Sequence, residues 1–363
     1  MELALDNTED IQLAESRILQ DHLQRVSMKT LVCTKPGKLE YEERTIPSLK
    51  PGYALIKVKR IGICETDLEG FEGKQSSMQY PRVFGHELAG ELVEPNGAPG
   101  FERGESVAFM PYYNCGNCTA CRLNKPNCCI NMKLSGVHID GGMSEYMAVP
   151  FRSLIHGKEL SFDELALVEP LAVAAHAVRR ANIQPGEHVL VIGAGQIGLG
   201  IMEFVRIAGG KVIVMDSDWQ RLDFCRNELG VELAMDPAQD VNKLLLEATK
   251  GNMPAVVIDS TGIQRIIHRA FKYISFGGRY VLAGFQPKEV VFSHPDLHLR
   301  EATLMSSTNA TRSDFEQVIE CISNGELDPS KYVTHRIDFD DLIDDFEPLL
   351  NPGKGVVRAM VMV

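Results

Sequence analysis

The chain has no apolar run long enough to span a bilayer without Gly or charge in it, and no signal-peptide pattern opens it. It has no excess of positive charge either: 37 Lys+Arg stand against 49 Asp+Glu, a net charge of −12. That balance argues against nucleic acid and against anionic membrane surfaces as partners. An even, dispersed set of cysteines is also missing. The nine that exist are odd in number and clustered, which zinc thiolate ligation in a reducing cytoplasm explains better than disulfides do. We therefore expect a cytoplasmic protein. What remains is an ordinary globular composition, 44% hydrophobic and 24% charged, on 363 residues, long enough for two domains.

The stretch around which the rest is organised runs from Ile61 to Glu87, IGICETDLEGFEG, a short loop, then YPRVFGHE. It offers a thiol at Cys64, a carboxylate at Asp67, and an imidazole beside a carboxylate at His86 and Glu87. Thiolate plus imidazole is a borderline-soft donor set that favours zinc. Asp67 is available to take the second ring nitrogen of a metal-bound His86. Alternatively, a buried Cys and a satisfied His never meet.

The segment CGNCTACRLNKPNCC carries the most specific pattern. Two residues separate each of Cys115, Cys118 and Cys121, and Cys129 follows after seven more. Thiolates at that spacing form a closed tetrahedral zinc site with no position for substrate. Free thiols there would invite oxidation. Cys128 competes for the fourth place, and spacing favours Cys129. Further on, Glu169 lies among Leu167, Val168, Pro170, Leu171 and Ala172 in a helix-like run. A carboxylate there is costly to bury without a partner, and a metal is one such partner; the alternative is a helix-start residue near a Pro. His176 lies on the same helical face.

The middle of the chain changes character. GEHVLVIGAGQIGLGIMEFVRIAGGKVIVMDSD reads as a buried strand, the glycines Gly193, Gly195 and Gly198, a helix, and a second strand ending at Asp216. The first glycine makes the tight turn, the second lets backbone approach a pyrophosphate, and the third packs helix on strand. Asp216 would accept hydrogen bonds from the ribose hydroxyls and repel a 2′-phosphate, so NAD is expected over NADP. Four more strand-like runs give six strands from His188 to about Thr308, a doubly wound parallel sheet.

Short β-rich runs punctuated by Gly, Pro and Asn fill residues 28–149, and the C-terminal end returns to that style. We expect an α/β protein with three parts. These are an extension at 1–27, a partly open β-barrel domain at 28–177 completed by 309–363, and a six-stranded doubly wound domain at 178–308. The cleft between the two domains is the expected active site.

From Met28 to Val363 the chain resembles the zinc-dependent medium-chain dehydrogenases of the alcohol, sorbitol and threonine dehydrogenase superfamily. Its closer likeness is to the bacterial sugar-acid branch of L-galactonate 5-dehydrogenase-like enzymes. That likeness rests on GIC-TD, YPRV-GHE, GVH-DGG-SEY, EP-A--AHAVRRA-I-PGE, VIGAG-IGLG and S-NAT--DF. The resemblance implies a GroES-like catalytic domain plus a Rossmann domain, two zinc ions per chain and NAD. It also implies a homodimer or homotetramer and a small polyol or sugar-acid substrate oxidised at a secondary alcohol. Cys64 and His86 then match catalytic zinc ligands, with Glu87 or Glu169 completing the shell, while Cys115, Cys118, Cys121 and Cys129 match the structural zinc. Thr66 matches the proton-passing hydroxyl and Asp67 the carboxylate behind the ligands. Gly193, Gly195, Ile197, Gly198 and Asp216 match the nucleotide site, Arg221 a ribose contact and Arg358 a pyrophosphate contact.

One position departs from the pattern. Glu69 stands where many relatives have the His that ends the proton relay, and its lower reference pKa weakens it as a base unless burial raises it. Arg82, His138, Asn309 and His176 are candidates to line a polar cleft, each with a structural role as the alternative. A polyol-phosphate or threonine-type dehydrogenase is the competing reading. A zinc-free quinone reductase would lack Cys64 and the cysteine lobe, and a non-catalytic regulator would be expected to lose Cys64, His86 or Glu169.

Overall fold

The computed structural model describes residues 27–351 and 357–363. The expected N-terminal extension lies outside the described residues apart from Ser27, which opens the first strand.

The chain begins with an antiparallel pair, β1 (Ser27–Lys35) and β2 (Lys38–Thr45). β3 (Tyr53–Gly62) and β4 (Glu87–Glu94) follow, then β5 (Ser106–Phe109), the short β6 (Tyr112–Tyr113) and β7 (Lys133–Leu134), β8 (Tyr146–Pro150) and β9 (Leu154–His156). β3 is the spine of this part. One edge of it pairs with β4 along its length, while the other edge pairs first with β8, through Tyr53–Lys57. Its alternate residues Ala54, Ile56 and Val58 are buried with Leu88 and Leu92 of β4, the period-2 pattern of a sheet face packed on a core.

The second unit carries the parallel sheet: β10 (His188–Ile192), β11 (Lys211–Met215), β12 (Leu233–Met235), β13 (Val256–Asp259), β14 (Arg279–Leu282) and β15 (Thr303–Ser306). The order β12-β11-β10-β13-β14-β15 reverses direction between β10 and β13, the switch point at which such sheets bind ligands beyond the strand C-termini. All six strands are parallel, as expected, and the central ones are buried on both faces, so they read as continuous runs such as HVLVI.

The chain then returns to the first sheet with β16 (His335–Asp338) and β17 (Ala359–Met362). β17 takes the remaining edge of β3 at Arg60–Gly62. The first sheet thus has seven strands in the order β16-β17-β3-β4-β5-β9 with β8 also on β3, an open arrangement.

Among the described residues, compactness groups 27–115, 131–169, 333–351 and 357–363 in one unit and 116–130 with 170–332 in the other. These limits differ from the boundaries expected above, chiefly because 309–332 joins the parallel-sheet unit. Buried polar links account for that. Asp314, on the helix Arg312–Ser323, bonds His176 and Arg179, while Lys331 and Tyr332 both bond the buried Glu203.

Candidate metal centres and dinucleotide loop

The β3–β4 register assembles the first candidate site. Gly62 pairs with Glu87, so Cys64, two residues past the end of β3, meets His86, one residue before β4 begins. Ligand atoms of Cys64, His86 and Glu87 all lie within 4.8 Å of one another. A Cβ at Gly62 would collide with the Glu87 carboxylate, so a larger residue there would displace that carboxylate.

Cys64 also caps the helix Glu65–Phe71. Asp67, on its first turn and fully buried, accepts from the Cys64 N–H at 3.0 Å and the Gly85 N–H at 3.1 Å. It therefore fixes the backbone next to both donors. Its Oδ1 stands 3.7 Å from His86 Nδ1, beyond hydrogen-bond length, so Asp67 holds the backbone around Cys64 and His86 and not the ring itself. Burial holds the Asp67 carboxyl above its usual range, against the opposing effect of His86. Burial likewise pushes the Cys64 thiol up, while His86 pulls it down. His86 sits well above the ordinary imidazole value: burial lowers it, but the Cys64 and Asp67 charges prevail.

Glu169 is not part of that group. It opens the helix Val168–Ala181, is buried, and accepts a hydrogen bond from the Tyr112 hydroxyl. Burial raises its carboxyl to about 7, against the opposing charge of His86. Glu87 bonds the buried guanidinium of Arg358, so Arg358, matched above to a pyrophosphate contact, has one N–H committed to a carboxylate. Thr66 and Glu69 are half-buried on the Glu65–Phe71 helix. Burial, with Glu65 adding to it, raises the Glu69 carboxyl, the direction a relay base requires.

The second candidate site is the group Cys115, Cys118, Cys121 and Cys129, whose sulfurs lie within 4.8 Å of one another. Sγ–Sγ separations of 3.5 Å (Cys118–Cys121) and 3.9 Å (Cys118–Cys129) bracket the ~3.8 Å edge of a tetrahedron with metal–sulfur bonds of about 2.3 Å. No cysteine is in a disulfide, and Cys128 is the exposed one.

Both donor sets pass a fit test for zinc. In the first, a thiol, an imidazole and a carboxylate place their ligand atoms within 4.8 Å of one another. In the second, four thiols converge at ligand spacing.

The dinucleotide loop lies at the switch point. Gly193 (φ +97) follows β10, and Gly195 caps the helix Gln196–Ile207, leaving that helix's first N–H groups toward the loop. A Cβ at Gly198 would strike the Gly193 carbonyl. Asp216 Oδ2 accepts from the Ala194 N–H at 2.6 Å, tying the loop to the end of β11. Asp218 accepts from the N–H groups of Gln220 and Arg221 and so caps the next helix; its Oδ2 is 3.7 Å from Arg221 Nε. Ile197 is half-buried.

The four polar-cleft candidates all have structural partners. Arg82 pairs with Asp140 at 2.9 Å, and His138 Nδ1 accepts from the Leu134 N–H. Asn309 donates to the Asn127 carbonyl, and buried His176 bonds Asp314 and Asn127. Sequence reasoning missed Tyr112 and Ser260. The Ser260 hydroxyl donates to the carbonyl of Ile192 at 3.0 Å, at the start of the glycine loop. Ser260 had a signal in its place just after the fourth strand of the parallel sheet; Tyr112 had none.

The chain matches the family models for the alcohol dehydrogenase GroES-like domain over residues 50–159 and for zinc-binding dehydrogenase over residues 197–324. It is 38% identical over 336 residues to the L-galactonate-5-dehydrogenase of Escherichia coli (strain K12), covering 92% of this chain and 99% of that one. The crystal structure of the alcohol dehydrogenase RspB from E. coli CFT073, complexed with NADH, matches with a TM-score of 0.86 at 31% identity, covering 93% of this chain and 99% of that one. 2R,3R-butanediol dehydrogenase from Bacillus subtilis matches with a TM-score of 0.85 at 28% identity, covering 93% and 100%.

Proposed function

Since the chain belongs to the zinc-binding alcohol dehydrogenase family, we propose that it oxidises a secondary alcohol of a sugar acid or polyol to a ketone, with NAD as hydride acceptor. The observation that carries the chemistry is the convergence of Cys64, His86 and Glu87 in a three-residue set. Catalytic zinc sites keep three protein ligands and an open position, whereas structural sites close with four. The sugar-acid class rests on the likeness to the L-galactonate-5-dehydrogenase.

In this reading Cys64, His86 and Glu87 hold one zinc, and Cys115, Cys118, Cys121 and Cys129 hold a second. Bound at the first set, zinc supplies Lewis acidity toward an alcohol oxygen and so eases loss of its proton. Thr66 Oγ1, on the turn beside Cys64, would accept that proton as its own hydroxyl proton leaves, and Glu69, its carboxyl raised by burial, is the candidate base to receive the released proton. Asp67 keeps the Cys64 and Gly85 backbone fixed while charge changes nearby. Gly193, Gly195, Ile197 and Gly198 receive the pyrophosphate at the helix start, with Asp216 and Arg221 at the adenosine ribose. Arg358 either keeps its bond to Glu87 or reaches the pyrophosphate with its remaining N–H groups.

A screen of NAD and NADP reduction against hexonates, polyols and phosphorylated polyols tests the proposal. Turnover of a hexonate or polyol with NAD is expected. Turnover confined to phosphorylated polyols or to threonine would establish the competing reading. No helix among the described residues is long and apolar enough to cross a membrane. A cytoplasmic homodimer or homotetramer remains part of the proposal, to be checked by fractionation and by mass in solution.

A further inference from the structure

Two buried carboxylates compete for the metal set of the first unit, and the structure treats them differently. Glu87 shares a 4.8 Å neighbourhood with the Cys64 and His86 donors; Glu169 does not. Yet Glu169 is only 7% exposed and feels the His86 charge, so solvent is not what keeps it out. What it has is Tyr112, 4% exposed, whose hydroxyl donates to Glu169 Oε1.

Tyr112 is poorly placed to yield. Its backbone pairs with Leu134 in the β6–β7 ladder, the neighbouring Pro111 carbonyl accepts the Ser135 N–H at 3.1 Å, and Cys115 of the four-thiol set follows three residues later. A phenol anchored at both ends of its segment is a fixed donor, and a fixed donor sets the direction of a carboxylate that has rotamers to choose from.

We infer that Tyr112 is a positioning residue that keeps the Glu169 carboxylate out of the metal-ligand set. Cys64, His86 and Glu87 are then the protein ligands, and Glu169 stays free to accept a hydrogen bond from a substrate hydroxyl or water. The inference rests on the metal reading given under Proposed function. It adds a residue to that reading and decides between its two carboxylates. It also makes the four-thiol lobe more than a fold element, because the segment that enters the lobe carries Tyr112.

The test uses the full-length chain loaded with cobalt(II). Visible spectra are taken as differences against Cys64→Ser, which retains the four-cysteine signal, and cobalt affinity is measured by chelator competition. If Cys64→Ser changes nothing in the visible bands, the metal reading itself fails, before any Tyr112 variant is considered. Given a Cys64-dependent band, Glu169→Gln alone should leave band and affinity unchanged. Tyr112→Phe should shift the band toward higher coordination and tighten cobalt binding about 10-fold, the scale on which outer partners tune metal sites. Glu169→Gln added to Tyr112→Phe should restore the wild-type band.

The inference is overturned if Glu169→Gln alone shifts the band, since Glu169 would then already be a ligand. It is equally overturned if folded Tyr112→Phe leaves band and affinity unchanged. Should Tyr112→Phe not fold, Tyr112→His, which keeps a ring donor, replaces it: a band and affinity unchanged from wild type with Glu169 present, together with a shifted band in Tyr112→Leu, support the inference, and no shift in Tyr112→Leu ends it.

Discussion

The two candidate metal sets differ in how their donors are gathered. The four-cysteine set takes every donor from the fifteen residues 115–129, all thiols, with sulfurs 3.5 and 3.9 Å apart where measured as close pairs. The other joins Cys64 to His86 and Glu87 across a sheet register and mixes thiol, imidazole and carboxylate. Glu87 bonds Arg358, and Asp67 stands behind Cys64 and His86. A closed set of four thiols suits folding; a mixed set of three donors suits chemistry.

The largest expected effect breaks that comparison at its chemical side. Cys64→Ser or His86→Ala should lower kcat/KM by ~10³-fold or more, about 4 kcal/mol of transition-state stabilisation, and remove one of two zinc ions per chain. The melting temperature should barely move. Activity assays, metal analysis and a thermal melt check all three, and retained turnover in both variants would remove the first set from the mechanism.

Cys118→Ser attacks the other side. One zinc is again expected to be lost, but here the melting temperature should fall by roughly 5 °C or more, because a closed thiolate site contributes folding free energy to its segment. The two variants thus lose the same number of ions with opposite consequences. A melting temperature unchanged in Cys118→Ser would erase the distinction.

A third, smaller effect concerns the cofactor loop. Asp216 ties Ala194 to the end of β11, and Asp218 caps its helix while keeping its charge, so both carboxylates disfavour a 2′-phosphate. Wild type should prefer NAD over NADP in kcat/KM by about 10-fold or more, about 1.4 kcal/mol, and Asp216→Ala should weaken NAD more than NADP. Equal efficiencies in wild type would mean that Asp216 does not select the cofactor.

Legibility in the sequence follows the same division. The four cysteines were readable because their ligands are local, and the glycine loop because a strand, a turn and a helix must follow one another in sequence. Cys64 and His86 were named as a pair, but only the Gly62–Glu87 register shows why they meet. Tyr112 left no trace, since a tyrosine in a two-residue strand has no periodicity to betray it. The division at 309–332 was missed for a similar reason. It is set by long-range polar links such as Asp314 to His176, 138 positions apart, which no window along the chain contains.

Those links supply the last test, which sharpens the comparison by asking what supports the four-cysteine segment. Asn127, two residues before Cys129, donates to the Thr308 carbonyl and bonds His176, which in turn bonds Asp314. Asp314 is fully buried. Burial alone would raise its carboxyl, but bonds from His176, Arg179 and Thr311 hold it well below the usual range. A carboxyl depressed in the folded state stabilises the fold above its unfolded pKa of about 3.9, and that contribution is lost as pH falls through the folded value. At pH 7, Asp314→Asn should therefore be less stable than wild type by about 1–3 kcal/mol, the cost of weakening a buried, charge-assisted network. Below about pH 4 the gap should narrow, because the unfolded wild-type chain takes up a proton on this carboxylate while the folded one still resists it. Acid also strips thiolate-bound metal, but that loss is common to both chains and cancels in the difference between them. Paired denaturation curves from pH 7 downward measure it, and a gap that stays constant through the acid range would show that the Asp314 charge does not hold this segment.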